Sequence, residues 1–228
     1  MENKIMLPRV DEKGDYYISY SQINSWKRSK RDYIRSYFFG ESFEGNAYTD
    51  FGSLVGEALE HNDFSSFTDE EEEFLKKVPR YDRFEVEVRL SMDGFYVLGF
   101  IDTMKMLYDH KGAGHLIEGI SAIADYKTGS IEKKIMDYDS DDYIQLDLYA
   151  MALQQLIGKL PEKMYVYLIG RKGNAYAGEE LTLDKRFVEI EKHIDQKRVD
   201  QVKSEVQKIA EEISDYYKVF LKLNKTDE

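Results

Sequence analysis

The stretch FEVEVRLSMDGFYVLGFIDTMKM, residues 84–106, decides the fold. Phe84, Val86, Val88 and Leu90 alternate with Glu85, Glu87 and Arg89, the period of two that marks a strand with one buried face. Asp93-Gly94 then supplies residues that tolerate the positive φ of a tight hairpin. Phe95 to Met106 resumes as a second strand, more uniformly apolar and so nearer the middle of a sheet. Asp109 to Gly114 reads as the next turn, and Ile120 to Lys127 as a third strand, apolar until its last residues.

Upstream the period is helical. Ser19 and Ser21 precede a helical stretch, with Gln22 three residues after Ser19 as in a capping box. Ile23, Trp26, Tyr33, Ile34 and Tyr37 recur at helical spacing along that one stretch. Gly52 to Glu60 reads as a second helix, and Thr68 caps a third whose first turn holds Asp69 and Glu70 to Glu73. Downstream, Asp137, Asp139, Asp141 and Asp142 suggest a solvated loop. Tyr143 to Ile157 is a helix with Leu146, Tyr149, Ala150, Leu153 and Leu156 on one face. Met164 to Ile169 is a fourth strand and Tyr176 to Leu183 an edge strand. Phe187 to Leu223 reads as helix, broken once, with Ile190, Ile194, Val202, Val206, Ile209 and Ile213 as its seam. The order predicts an α/β fold with a mixed central sheet flanked by helices. One domain is expected over 1–228, with N-terminal helices (1–80), a central sheet and helix (84–170) and C-terminal helices (184–223).

Composition narrows the function classes. The 228 residues are 42% apolar with three prolines, enough for a substantial core. There is no cysteine, which excludes disulfides, thiolate zinc sites and cysteine-held iron–sulfur clusters. Met1 to Val10 has no apolar core, so a signal peptide is not expected, and no run approaches a membrane span. A soluble, cytoplasmic protein without a membrane partner is the expectation; for a viral chain that means the host cell. The net charge of −12 disfavours nucleic acid, but Lys27, Arg28, Lys30, Arg31 and Arg35 cluster against the single acid Asp32. Of these, Lys27, Arg28 and Arg31 are the candidate phosphate contacts.

The chemistry gathers at strand ends. Asp125-Tyr126-Lys127 closes an apolar strand, and period two puts Asp125 and Lys127 on one face. Asp102 follows Gly99-Phe100-Ile101 in another apolar run, where a carboxylate needs a partner. If the strands are neighbours, Asp102, Asp125 and the Tyr126 carbonyl make a hard oxygen site suited to Mg²⁺ or Mn²⁺. Lys127 would then orient or deprotonate water and offset charge on a phosphate. These residues fit equally an ordinary buried ion pair between Asp102 and Lys127. Glu87 is a further candidate, or an exposed residue of an edge strand.

Five segments in order resemble the RecB-like branch of the PD-(D/E)XK nuclease superfamily. Ser19 to Trp26 (SYSQINSW) is similar to its opening Ser-x-Ser helix, and Gly52 to Glu60 to its Gly-x-x-x-His-x-x-Leu-Glu helix. Gly99 to Asp102 matches its Gly-x-x-Asp strand, Asp125 to Gly129 its Asp-x-Lys-Thr-Gly segment, and Gln145 to Ala150 its Gln-Leu-x-x-Tyr-Ala helix. The resemblance implies a restriction-endonuclease-like αβββαβ core and a metal-dependent deoxyribonuclease, with exonuclease action expected. It makes Asp102 and Asp125 metal ligands and Lys127 the catalytic lysine. Gln145 and Tyr149 would support that lysine or touch the DNA backbone. DNA is the expected partner, alongside proteins of recombination, repair or viral genome processing. One departure is plain: the motif histidine falls on Gly56. Glu60, on the same helical face, can supply an oxygen instead, while His61 lies off that face. The departure also admits a second reading, a weakened or inactive nuclease-derived module that binds DNA or protein without cutting.

Overall fold

The computed structural model describes residues 5–41, 45–109 and 116–224. A short strand β1 (Tyr17–Ser19) leads into helices α1 (Tyr20–Arg28) and α2 (Lys30–Tyr37). The single helix expected here is broken at Ser29, whose extended backbone ends α1 and begins α2 while its hydroxyl accepts the Asp32 N–H at 3.3 Å. Ser19 caps α1 through the Gln22 N–H, but Gln22 does not reciprocate. Its side chain is buried and accepts from the Tyr33 hydroxyl at 3.3 Å. Capping boxes do start the next two helices, α3 (Ala47–His61) at Asn46 and α4 (Asp69–Leu75) at Thr68.

The predicted hairpin is β2 (Arg83–Ser91) and β3 (Tyr96–Asp109), turned at Asp93-Gly94 with Gly94 at φ +84°. The turn expected after Asp109 lies outside the described residues. Strand β4 (Leu116–Gly129) is followed by α5 (Ile131–Asp139), α6 (Gln145–Ile157) and β5 (Lys163–Lys172). Asp137 and Asp139 therefore stand on a helix, where Asp137 pairs with Lys134 at 2.8 Å, and not in a loop. Leu156 of α6 is 76% exposed and leaves the expected apolar face.

The C-terminal third corrects the sequence reading. Residues 175–177 form one 3₁₀ turn, and the next strand, β6, is Thr182–Lys192. Phe187 and Ile190 are thus in a strand, and helix α7 starts only at Gln196, running to Asn224. Lys185 takes φ +57° beside a register shift between Ile169 and Arg171, so a bulge interrupts the alternation that would have betrayed the strand. Among the described residues no helix is long and apolar enough to cross a membrane.

The mixed sheet runs β1-β3-β4-β5-β6, with β2 on the other edge of β3. Helices cover both faces. On β5, Met164, Val166 and Leu168 join the core under α6 and α7, whereas Tyr165, Tyr167 and Ile169 join the core under α3 and α4. The alternation is strict because both faces are buried. Helix α4, strands β2 to β4, helix α6 and strand β5 give the expected αβββαβ order, with α5 inserted before α6.

Candidate active site

Strand β3 carries a notch. On the edge opposite β2, β1 pairs as far as Leu98, and the β4 ladder runs from Thr103↔Ala124 onward. Gly99 to Asp102 face neither strand. Beyond the notch β4 continues beside β5 to Gly129, so the sheet forks where Asp102 and Asp125 oppose each other. The Tyr126 N–H donates to Asp102 Oδ2 at 2.6 Å in place of a ladder bond. The fork brings Asp102, Asp125 and Lys127 together.

Asp125 is fully buried. Its Oδ2 receives both Lys127 Nζ at 2.5 Å and the Tyr143 hydroxyl at 2.8 Å. Its Oδ1 is buried and has no hydrogen-bond partner among the described residues. Such an orphan is costly in a closed site and is the kind of lone pair a cation satisfies. The ion pair is Lys127 with Asp125; the alternative pairing with Asp102 is not the one formed. Burial pushes the Asp102 carboxyl up to about 8, and the Asp125 charge adds to this against the pull of Lys127 and the Tyr126 N–H. For Lys127, burial draws the ammonium down, but Asp125 and Asp102 outweigh it and hold it above its ordinary range.

Gln145 and Tyr149 lie one turn apart on α6 and bond to each other, Nε2 to hydroxyl at 2.7 Å. The Gln145 carbonyl oxygen lies 3.2 Å from the Tyr143 hydroxyl. Neither residue bonds to Lys127, so the support they give runs through the tyrosines. The Tyr149 ring packs onto β3 at Gly99, where any Cβ would sit 2.4 Å from a ring carbon. That contact explains a glycine in a strand interior. Tyr143 is a site residue that the sequence reading missed. Its signal was a tyrosine in an apolar helix start, since a buried hydroxyl needs a partner. Tyr20 and Tyr138 pack edge-on against its ring at 5.7 and 5.3 Å.

Two grooves meet at Lys127. The acidic one, about 700 Å³, lies under α3 and is lined by Gly56, Glu57, Glu60, Glu85 and Asp102. Glu85 was also missed. It stands opposite Asp102 on β2 with φ +46°, a strained value for a residue with a side chain. Burial raises its carboxyl, and Glu60 and Asp125 raise it further. Glu87, the residue singled out from sequence, pairs instead with Arg89 at 2.7 Å. Glu60 shares the groove with Asp102, but among the described residues no three His, Cys, Asp or Glu side chains are grouped closely enough to hold one ion. A Cβ at Gly56 would meet nothing within 4 Å.

The second groove, about 890 Å³, runs from the notch along α1 and α2 and includes Arg28, Gln145 and Tyr149. The basic cluster does not act as one patch. Lys27 pairs with Glu205 at 2.7 Å, Lys30 with Glu212, and Arg35 with Glu41 at 2.7 Å. Acids of α7 thus neutralise Lys27 of α1 and Lys30 of α2. Arg28 and Arg31 are exposed without an ion pair among the described residues, and of the two only Arg28 lines the groove.

A family described as the PD-(D/E)XK nuclease superfamily matches residues 64–220. No curated protein sequence matches the chain. Among solved structures, the crystal structure of a candidate exonuclease from Eubacterium rectale is similar, with 14% identity and a TM-score of 0.49. The match covers 90% of this chain and 87% of that one.

Proposed function

The chain belongs to the PD-(D/E)XK nuclease superfamily, and from that premise we propose that it is a deoxyribonuclease that hydrolyses phosphodiester bonds with Mg²⁺ or Mn²⁺, acting as an exonuclease. The observation that carries the reading is the division of labour on Asp125. One oxygen is held by Lys127 and Tyr143, and the other is buried with no partner. Asp102, Asp125 Oδ1 and the Tyr126 carbonyl are hard oxygens that suit a small divalent ion, with Glu60 or Glu85 supplying further charge from the acidic groove. When bound, such an ion polarises the phosphodiester and acidifies water.

The chain's own groups do the rest. Lys127 stays an ammonium at neutral pH, so in this geometry it does not take the proton from water. It holds positive charge where the nonbridging phosphate oxygens become more negative, and its side chain, 25% exposed, reaches the grooves from a buried stem. Tyr143 fixes the Asp125 carboxylate, Gln145 fixes Tyr149, and Tyr149 packs between α6 and the notch. Asp102, raised toward neutrality, becomes a full anion once a cation arrives beside it.

Labelled linear and closed circular DNA incubated with Mn²⁺ test the proposal. Loss of label from linear ends, absent in Asp125→Asn and Lys127→Ala variants, is expected. The second reading, a module that binds without cutting, draws on Gly56 in place of a ligand and on the absence of a three-ligand group among the described residues. DNA retained by the protein with Mn²⁺ and left intact would favour it.

A further inference from the structure

The notch in β3 leaves Phe100 on its rim. Phe100 is 43% exposed, whereas its strand neighbour Ile101 is fully buried. It lines the groove along α1, the groove that reaches Lys127, while Asp102 lines the acidic groove on the other side of that lysine. An exposed phenylalanine alone needs no explanation; the surroundings of this one set it apart. Across the notch lies Lys127. Along the same groove stand Asn24 and Arg28, whose side chains have no partner among the described residues, and Ser21 and Ser25 line it too. Nearby Lys27, Lys30 and Arg35 are all committed to acids of the chain.

Charge decides what such a groove can hold. Arg28 and Lys127 are its cations, Asp32 also lines it, and the chain carries −12 overall. Duplex DNA presents one phosphate per about 1.7 Å of axis and is held mainly by neutralising many of them. An unpaired strand can be held by few cations when its bases stack on aromatic faces and bond to small polar groups. We propose, resting on the nuclease reading above, that the groove takes an unpaired DNA strand and that Phe100 is the platform on which a base stacks beside the scissile phosphate.

The test is binding with Ca²⁺ in place of the catalytic ion. A fluorescein-labelled mixed-sequence single strand and a blunt duplex of equal length serve as probes, followed by anisotropy. A second single strand carries 2-aminopurine and reports stacking by quenching. Wild-type protein is expected to bind the single strand at least about tenfold tighter than the duplex and to quench the 2-aminopurine. Phe100→Ala should lose about tenfold in single-strand affinity together with the quenching, whereas Phe100→Tyr should keep both. Unchanged melting temperatures would show that both variants fold. Duplex bound as tightly as single strand, or Phe100→Ala binding and quenching like wild type, overturns the inference and leaves the nuclease reading standing. Failure to bind either probe overturns both.

Discussion

The Tyr143 hydroxyl and the Lys127 ammonium converge on one oxygen of Asp125, at 2.8 and 2.5 Å, and leave the other oxygen unclaimed. Two donors on Oδ2 fix the carboxylate plane, so Oδ1 is presented in one direction only. Tyr143→Phe removes one of them without changing the packing against Tyr20 and Tyr138. The expected cost in stability is about 1.5–3 kcal/mol, that of one buried hydrogen bond to a charged group. The larger effect should fall on the divalent ion: half-maximal cleavage should need several-fold more Mn²⁺. A titration of activity against Mn²⁺, with melting followed in parallel, measures both. An unchanged Mn²⁺ requirement would show that Tyr143 merely fills space.

The pH dependence of the metal-free protein follows from Asp102. Its folded value, about 8, lies above the ordinary 3.8, so between them the folded chain keeps a proton that the unfolded chain has lost. Stability therefore falls as pH rises across that window. Asp102→Asn removes the titrating group while keeping an oxygen for the Tyr126 N–H. Without metal the variant should match wild type near pH 4 and exceed it by about 1–3 kcal/mol near pH 8. Divalent ion should reverse the order, because a ligand at a thousand times its Kd stabilises wild type by about 4.1 kcal/mol. Thermal melts at the two pH values, with EDTA and with Mn²⁺, decide it. A metal-free variant less stable than wild type near pH 8 would mean that the Asp102 carboxylate is not strained.

Much of this arrangement was legible in the chain, and what was not has a physical cause. Asp102, Asp125 and Lys127 could be read because each follows a run of apolar residues, where a charge must be accounted for, although Asp102 lies inside β3 and not at the strand end that the sequence suggested. The fork that joins them could not, since it depends on where two ladders stop. Tyr143 and Glu85 escaped for different reasons. A tyrosine at a helix start looks like core, and Glu85 sits in a regular alternation that gives no hint of its positive φ. The ion pair of Lys27 could not be read from the sequence, because the acid that holds it, Glu205, comes from α7, about a hundred and eighty positions later. β6 was taken for helix because its bulge at Lys185 broke the period.

Gly99 offers a test of the α6 contact. Its absent Cβ is where the Tyr149 ring lies, so Gly99→Ala forces the ring or the strand to move, at a cost of about 1–3 kcal/mol. Tyr149→Ala alone should cost about 3–5 kcal/mol for the lost aromatic packing. In the double variant the clash has no partner, so the two costs should fall short of additivity by more than about 0.5 kcal/mol. Urea denaturation of the four proteins gives the cycle. Strict additivity would place the ring elsewhere.

Arg28 and Lys27 are adjacent in sequence and differ in commitment, which makes them a controlled pair. Lys27 is held by Glu205 at 2.7 Å, whereas Arg28 lines the groove with no ion pair among the described residues. If the groove receives a nucleic-acid backbone, Arg28→Gln removes a phosphate contact and its released counterion. The slope of log affinity against log salt should then become shallower by about 0.7 for a single strand. Lys27→Gln should leave that slope alone, because its charge is already spent within the protein. Its loss should instead show as a stability change of about 0–1 kcal/mol, the range for an exposed pair. Anisotropy titrations over a salt series, with Ca²⁺ to prevent cleavage, read the slopes directly. Equal slopes for wild type and Arg28→Gln would mean that the strand does not run past α1 and that the phosphate contacts lie on another face.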